Sequence, residues 1–438
     1  MIDLKEKLLS SFIAFENQTN IDSYVHDIRS EAIKQFESIG FPTKKLENWK
    51  YTSLKNLLNN DFSVLTELSN VLEFKDIKKY LIDDIDSYKI IFVDGKYCSH
   101  LSETTHEGMD ICILSAALTK SKYDLIVENY FNKIANDDGI TSLNTAFATE
   151  GAFVHIPKNK LVEKPIQIIH FSTGNESSLM FQPRNMIIVE ENSQVQIIER
   201  HQSLSKNKVF TNSVTEIYGE KKSIIDYYKI QNDNLQSSLI DNTYVNQERN
   251  STFSMHTFSF GNELVRNNLN ISQNDEFIET TIKGVTIIGE KQHIDHNTLI
   301  NHNKPNCNSH QDYKGIYDNK STGVFNGRVL VKKQAQKTNA FQSNNNVLLS
   351  DKATINAKPQ LEIYADDVKC SHGCTVGQLD KNALFYLKSR GIPHKEATAL
   401  LMYGFANNIL ESVKIPEIKT RINLLIANKL GVKIGFNL

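Results

Sequence analysis

The sequence predicts a mainly β protein whose central part favours a parallel β-helix, with a helical region on each side. From about residue 150 to residue 376, short runs rich in β-branched residues alternate with clusters of Asn, Asp, Gly and Ser, and no convincing amphipathic helix interrupts them. Glycine and proline are scarce, at 19 and 8 of the 438 residues. Polar turns recur at irregular intervals of roughly 20 residues, which favours stacked coils but leaves a sandwich or a barrel open.

Residues 1–148 make up the first region and are predicted to be mostly helical. Between residues 22 and 39 the apolar side chains have helical spacing, and Gly40 and Pro42 then end the helix. A short strand is expected at 89–93, because this apolar run is bounded by Asp94 and Gly95. More helical material is expected within 129–148.

The second region, residues 149–376, carries the predicted strands of the β-helix. A doubly wound α/β fold needs helices between its strands, so their absence from this pattern argues against that fold. The predicted strands cover residues 166–170, 186–189, 195–198, 214–217, 224–230, 285–288, 324–331 and 361–364.

The third region, residues 377–438, is predicted to be helical. Asp380 is expected to cap a first helix that ends at Gly391. Pro393 and Pro416 are expected to begin two further helices, and Gly431 to end the last of them.

The second of these helices carries an apolar stripe whose role the residues leave open. Met402, Phe405 and Ile409 could pack onto the β core, or they could present a surface to a partner. Apolar stripes are typical of cores and of interfaces alike, so the pattern itself does not choose between them.

Composition and charge narrow the class of protein. The net charge of −2 argues against nucleic-acid binding driven by phosphate contacts. No apolar run approaches the roughly 20 residues of a membrane span, and the N-terminal apolar stretch at 8–15 is too short for a signal peptide. Five scattered cysteines fit a reducing compartment better than a disulfide framework. We therefore expect a cytoplasmic protein that binds neither membrane nor nucleic acid.

The segment around Cys370, His372 and Cys374 carries the strongest chemical signal in the chain. Residues 361–368 are typical of a strand, and if the extended conformation continues, these three side chains share one face. Thiolate and imidazole suit zinc, iron and iron–sulfur clusters. Neighbouring ligands would lie ~6.6 Å apart, but the outer two would lie ~13 Å apart, too far for one ion unless Gly373 bends the chain.

That spacing predicts half of a metal site, completed by another strand or another protein. The same pattern also fits a pair of buried thiols beside a hydrogen-bonded core histidine, because free cysteine is among the most buried residue types. The residues themselves leave both interpretations open.

A second polar cluster lies at residues 293–310. Metal binding is conceivable there, but the irregular spacing favours a loop of solvated or hydrogen-bonding histidines. The cluster consists of His293, His296, His302, Cys307 and His310.

The sequence contains no convincing nucleotide-binding loop and no nucleophile elbow. The segment 315–322 resembles a phosphate-binding loop but lacks the glycine directly before its lysine. No Gly-x-Ser-x-Gly nucleophile elbow occurs. We therefore expect a protein that is not an enzyme and does not hydrolyse ATP itself.

The segment 370–380, Cys-Ser-His-Gly-Cys-Thr-Val-Gly-Gln-Leu-Asp, closely resembles the SufB/SufD family of scaffold proteins for iron–sulfur cluster assembly. Its Cys-Ser-His triplet is similar to the SufD branch, since SufB carries a His-Glu pair there. The resemblance spans nearly the whole chain and is most specific in the last hundred residues. Further matching segments are 42–52, 310–316, 325–327, 358–363, 366–370, 384–392 and 397–401.

The resemblance implies a right-handed parallel β-helix between helical regions. It implies a complex with SufB through the β-helix and with the ATPase SufC through the C-terminal helices. Cys370 and His372 would then lie at the SufB–SufD interface and hold iron or a transient iron–sulfur cluster, with no cofactor bound stably in the isolated chain. A homodimer of the isolated chain remains open.

Two departures limit what carries over from the family. SufB relatives have a sulfur-accepting cysteine in a segment that corresponds to 341–346 here, and this chain has none there. We therefore do not expect this chain to accept sulfur. Cys374 stands where many relatives carry alanine, so burial as a small apolar residue is favoured over a ligand role.

Two rival functions belong to other classes. One is a carbohydrate-active β-helix enzyme, which would need an acidic and aromatic groove. The other is a stand-alone structural zinc protein that uses Cys370, His372 and Cys307.

Overall fold

The computed structural model of the chain describes residues 3–18, 23–64, 72–82, 85–104, 108–136, 138–174 and 177–432. The predicted first-region helix is confirmed from Ser23 to Ile39, while Asp22 lies outside the described residues. The predicted strand at 89–93 is confirmed within a strand from Tyr88 to Val93. The elements before the main β region are α1 Leu4–Gln18, α2 Ser23–Ile39, α3 Lys55–Leu58, β1 Phe62–Ser63, α4 Phe74–Ile77, β2 Tyr88–Val93, β3 Lys96–Tyr97, β4 Asp110–Ile113, α5 Leu114–Thr119, α6 Asp124–Tyr130 and α7 Gly139–Ala146.

A parallel β-helix follows, and it confirms the predicted fold class. From β8 onward, the even-numbered strands form one sheet and the odd-numbered strands form the other, with parallel neighbours throughout. Each turn therefore gives one strand to each sheet. The strands are β5 Ala152–Ile156, β6 Ile166–Ser172, β7 Ser178–Phe181, β8 Arg184–Val189, β9 Gln194–Ser203, β10 Val209–Gly219, β11 Ile224–Gln231, β12 Ser237–Gln247, β13 Thr252–Ser259, β14 Leu264–Gln273, β15 Glu279–Ile288, β16 His293–His302, β17 Asn308–Tyr317, β18 Thr322–Val331, β19 Asn339–Leu348, β20 Thr354–Ile363 and β21 Lys369–Gly377.

The length of one turn differs from the expected spacing. Leu264 pairs with His293 and His293 pairs with Thr322, so the chain takes 29 residues to return to the same place. Each turn contains two strands with a polar corner after each strand, so polar corners recur at about half the length of a turn. The expected interval of roughly 20 residues between polar clusters is therefore wrong.

The corners explain how the chain turns with so little glycine. Each corner from an even strand to the next odd strand, from β8 to β19, contains a residue in the left-handed region, with φ between 57° and 60°. Asparagine adopts this conformation at lower cost than most residues with a side chain. These residues are Asn192, Lys222, Asn250, Phe277, Asn306 and Lys337.

Several strands that the sequence patterns missed are rich in asparagine and glutamine. Asn242, Asn268, Asn297 and Asn326 lie in register on four neighbouring strands. The Asn268 amide donates to Asn242 Oδ1 at 2.7 Å, and Asn297 donates to Asn268 Oδ1 at 3.4 Å. Stacked strands let like amides satisfy one another, which a scale of strand propensity does not register.

The N-terminal region is anchored on the outer face of the even sheet. The Arg266 guanidinium lies 4.0 Å from the centre of the buried Trp49 ring and forms a buried ion pair with Asp295. Thr52 donates to Asp295 and lies 2.9 Å from His293 Nε2. The segment that contains Trp49 and Thr52, called the tryptophan segment below, is therefore part of the core of this interface.

Three helices complete the chain: α8 Lys381–Ser389, α9 His394–Leu410 and α10 Pro416–Leu430. The Asp380 side chain caps α8 as predicted, and Gly391 and Gly431 follow α8 and α10 with φ of 84° and 64°. Among the described residues, none of the helices has the length and hydropathy that crossing a bilayer requires.

The apolar stripe of α9 packs against the outer face of the odd sheet. Met402 and Ile409 are buried in one cluster with Tyr228. Phe405 packs against that cluster, and its carbonyl accepts a hydrogen bond from Lys314 Nζ at 2.7 Å. The interpretation of this stripe as a partner surface is therefore wrong for these residues.

Candidate functional site

The motif at Cys370, His372 and Cys374 lies on β21, the last strand of the odd sheet. The expected strand across 361–368 is confirmed only as far as Ile363, where β20 ends, and is wrong for 364–368, which form a corner between the two sheets. The Asp367 N–H donates to Gln336 Oε1 at 2.8 Å in this corner. We call β20, this corner and β21 the last turn.

The three side chains share one face of β21, as the strand spacing predicts. Their register partners on β19 are Ala340, Gln342 and Asn344, which are all buried. The motif therefore continues the inward-facing rows of the β-helix. Within the described part of the chain no further turn covers it, so the row is open to solvent at this end.

Cys370 is half-buried at one end of this row. It packs against the apolar cluster that contains Val331, Ala340 and Ala365. Burial raises the pKa of its thiol above the ordinary value. The thiol is therefore the favoured form at neutral pH until a metal ion or another cation approaches it.

His372 is exposed at the centre of the row. Its imidazole forms no hydrogen bond to any residue that the structure describes. Below it, Gln342 donates to Gln311 Oε1 at 2.8 Å, and Gln311 donates to Thr298 Oγ1 at 2.6 Å. Gln342 Oε1 is buried without a partner. The interior beneath His372 is thus polar and has an unused acceptor.

Cys374 is exposed, so the expectation that it is buried is wrong. Its Sγ lies 3.7 Å from Asn344 Oδ1 on the strand below. It faces inward, but the last strand has no neighbour above it to cover the thiol. Partial burial still raises the pKa of this thiol.

The donor atoms of the last turn do not form a complete metal site. β21 pairs with β19 at every residue from Lys369 to Gly377, so Gly373 does not bend the strand. Among the described residues, Cys370, His372 and Cys374 are not a group whose ligand atoms all lie within 4.8 Å of one another. The half-site predicted from the spacing therefore stays a prediction.

The open edge of β21 exposes unpaired backbone groups. The Lys369 N–H donates to Thr338 O at 2.8 Å, so it faces β19. Successive N–H groups of a strand point in opposite directions, so those of Cys370, His372 and Cys374 face the open edge. Such an edge is a template for pairing with another chain.

The open edge of β20 lacks one backbone N–H donor. Thr354 and Tyr364 donate their N–H groups to the strand beneath, β18 and its continuation. Pro359 has the opposite parity, so its ring takes the place of an N–H at the open edge. Proline in a sheet is largely confined to such edges.

Apolar side chains surround these open edges. Val376 is 52% exposed and Tyr364 is 63% exposed, and Ile363 is also exposed. Water-exposed apolar groups beside unpaired strands indicate a protein–protein contact surface.

The prediction that residues 293–310 form a loop is wrong, whereas the prediction that their histidines form hydrogen bonds is confirmed for His296 and His302. It forms β16 and the start of β17. His296 lies 2.9 Å from Thr286 Oγ1, and His302 lies 2.9 Å from Ser309 Oγ. His310 faces outward and stacks on Phe341, with ring centres 5.3 Å apart.

Cys307 does not join the last turn. It is buried, and its Sγ lies 3.2 Å from the Asp275 carbonyl oxygen. In the described residues it is not part of a convergent group with Cys370 and His372, so the geometry does not favour the zinc alternative.

A second exposed surface lies on α8. None of its described residues is buried, and Phe385 and Tyr386 are 73% and 58% exposed. The sequence patterns did not single out this pair. The helix packs mainly against α9 and presents both aromatic rings to solvent.

The sequence also missed a convergent group at the other end of the β-helix. His170, Glu199 and His201 approach one another there. His170 is far from Glu199 and His201 in sequence, and the three residues come together only because β6 pairs with β9. Sequence spacing therefore gives no sign of this group.

Comparison with known proteins gives matches along most of the chain. Residues 170–405 match the family model described as SUF system FeS cluster assembly, SufBD core domain, and residues 10–168 match the SufBD protein N-terminal region. An iron–sulfur cluster assembly SufBD family protein of Synechocystis sp. is 32% identical over 417 residues, which cover 92% of this chain and 90% of that protein.

Two relatives named iron–sulfur cluster assembly protein SufD are similar over comparable lengths. The protein from Escherichia coli is 31% identical over 407 residues, which cover 91% of each chain. The protein from Bacillus subtilis is 29% identical over 437 residues, which cover 95% of this chain and 96% of that one.

Proposed function

The chain belongs to the SufBD family of iron–sulfur cluster assembly proteins, and we propose that it acts there as a non-catalytic scaffold subunit. Its last turn would pair with SufB, and the nascent cluster would form between the two chains. Iron and sulfide are the cargo of this site rather than a resident cofactor. Such a subunit belongs in the cytoplasm beside its partners.

The observation that carries this proposal is an incomplete set of metal ligands on a strand whose outer edge is unpaired. Cys370 and His372 supply one thiol and one imidazole, which suit iron. The strand that holds them has an open edge with apolar side chains around it. A partner that pairs with this edge would cover the apolar groups and bring the missing ligands.

The environment of Cys370 favours a thiol that is inert until the partner and metal arrive. Its raised pKa keeps it protonated in the isolated chain. A cation bound beside it would favour the thiolate, since opposite charge lowers a thiol pKa. His372 has no competing hydrogen bond among the described residues and is available to a ligand.

The C-terminal helices would carry SufC, the ATPase of the system. The candidate contact is the α8 surface with Phe385 and Tyr386, because the stripe of α9 is already buried against the β-helix. Since α8 directly follows β21, ATP binding in SufC would act close to the last turn and could open the shared interface. The isolated chain could also pair with itself through the same apolar edge.

The test is co-expression of this chain with the SufB and SufC of its own genome. The expected result is one complex that contains all three chains and gains iron and acid-labile sulfide on anaerobic reconstitution. Failure of this chain to co-purify with SufB would contradict the proposal. Stoichiometric zinc in the isolated chain, lost on replacing Cys370, would instead support the zinc alternative.

A further inference from the structure

A cavity of about 430 Å³ lies between the first turns of the β-helix and the N-terminal helices. It is far along the fold from the last turn, and β6, β9 and α1 contribute to its wall. Its polar lining includes two imidazoles and several carboxyl groups. The lining residues that matter here are Asp94, Lys96, Glu150, His170, His201 and Asp233.

Two histidines stack in this wall. His170 on β6 and His201 on β9 are register partners, and their rings are parallel within 9° with centres 4.7 Å apart. Phe92 continues the stack on the other side of His170, at 4.6 Å. The register of three strands fixes the position of both imidazoles.

A carboxylate completes the group. Glu199 is two residues before His201 on the same inward face, and its Oε1 lies 3.2 Å from His201 Nε2. One ligand atom from each of His170, Glu199 and His201 lies within 4.8 Å of the others. Ligands of one ion lie about 3–4 Å apart, given metal–ligand bonds of about 2.0–2.2 Å. Imidazole nitrogens bind a metal in the plane of the ring, so the two stacked rings would have to turn toward each other for all three residues to share one ion.

Several polar atoms in this wall have no hydrogen-bond partner. His170 Nε2 and His201 Nδ1 are buried and unpartnered, and so are Glu150 Oε2 and Gln182 Nε2 of the same cavity. Leaving one such group unsatisfied costs about 1–3 kcal/mol. Four of them around one cavity mark a polar wall whose groups need water molecules or a bound ion as partners.

Neighbouring residues hold Glu199 in position. The Tyr227 hydroxyl donates to Glu199 Oε2 at 2.8 Å, which leaves Oε1 on the side of His201. Lys229 lies 3.2 Å from Oε2, but its closer partner is Asp241 at 2.5 Å. Outer contacts of this kind orient a metal-binding carboxylate.

We propose that His170, His201 and Glu199 bind one divalent first-row transition metal ion of the kind that takes imidazole and carboxylate ligands, such as Fe²⁺ or Zn²⁺. Two imidazoles and one carboxylate with open positions are typical of non-haem Fe²⁺ sites, whereas Mg²⁺ and Ca²⁺ prefer oxygen ligands alone. The cavity provides room for water or a small ligand on the ion, with Glu150 in the same wall. This site does not depend on the last turn or on the proposed role with SufB.

The experiment uses the full chain with the donors of the last turn removed, as Cys370→Ser/His372→Ala/Cys374→Ser. Anaerobic titration with Fe²⁺, and with Co²⁺ as a spectroscopic probe, is followed by calorimetry and ligand-field absorption. We expect one equivalent to bind in this background. His170→Phe and His201→Phe keep the aromatic stack but remove ligand nitrogens, and each should weaken binding at least about tenfold.

The matched control is His302→Gln, which changes another buried histidine with one unpartnered ring nitrogen in a different turn. It should leave metal affinity unchanged. If either Phe variant fails to fold, Glu199→Gln replaces it, and imidazole NMR of the unsubstituted chain records whether Fe²⁺ or Zn²⁺ perturbs two buried rings. No saturable binding in the background chain, or unchanged affinity in the histidine variants, would overturn the proposal.

Discussion

His372 and Gln342 are register partners on the last two strands of the odd sheet, so the exposed imidazole lies directly over a buried amide. The Gln342 amide oxygen has no hydrogen-bond partner, while its amide nitrogen belongs to a hydrogen-bonded row with Gln311 and Thr298. The polar interior of the β-helix therefore reaches the surface at His372. A partner that covers the last turn would cover both this hydrogen-bonded row and the proposed metal site.

Val376→Asp should weaken association through the last turn without unfolding the chain. Val376 is apolar and exposed beside the open edge of β21, so a charge there costs little until a partner buries it. Sedimentation of the isolated chain and capture by SufB measure the effect. Leu125→Asp, at an exposed position on α6, is the control and should leave both unchanged.

Replacing Phe385 and Tyr386 with Ser should reduce SufC binding. Aromatic residues are frequent hot spots of interfaces, and each can contribute about 2 kcal/mol or more. The free energy of unfolding should change by less than about 0.5 kcal/mol, because both rings are exposed. SufC capture that remains at the unsubstituted level would contradict docking through α8, and Leu424→Ser on α10 would then be tested in its place.

Asp295→Ala should lower the free energy of unfolding by about 3 kcal/mol or more, because it leaves the buried Arg266 charge without its partner. Urea unfolding measures the change. The control is Lys358→Ala, which removes an exposed ion pair with Glu47 and should change stability little. Equal effects of the two substitutions would contradict the view that the tryptophan segment is anchored through the buried pair.

Stability should fall on acidification below about pH 6.5, the ordinary pKa of histidine. Burial, together with nearby lysines, lowers the pKa of His256 to about 3, and burial lowers the pKa of His296 and of His302 to about 4. The unfolded chain then binds protons that the folded chain does not. Each residue can contribute up to about 1.4 kcal/mol per pH unit until its folded pKa is reached.

Urea unfolding at pH 7.5, 6 and 5 measures this dependence. His302→Gln should flatten it, since glutamine does not titrate. An unchanged slope in that variant would show that His302 is not buried in its neutral form.

The fold class follows from the sequence because β-branched runs without helices leave few alternatives. The runs at 224–230 and 324–331 lie within β11 and β18. Strands such as β14 and β16 escape the pattern, because their asparagines and histidines become favourable only when the neighbouring turn supplies partners. Local strand propensity therefore misses these strands, because it does not include the pairing of residues that are far apart in sequence.

The candidate site was predictable in part for the same reason. Cys370, His372 and Cys374 are close in sequence, so strand periodicity places them on one face. The exposure of Cys374 depends on β21 being the last strand, which no local pattern reveals. The group of His170, Glu199 and His201 requires the pairing of β6 with β9, so composition and spacing could not find it.

The most direct test of the scaffold role is the iron and sulfide content of the complex with SufB and SufC that carries His372→Ala in this chain. We expect all three chains to remain together, while cluster content falls well below that of the unsubstituted complex. His310→Ala, an exposed histidine on β17, is the matched control and should retain the cluster. An intact His372→Ala complex with an unchanged content of iron and sulfide would contradict the account.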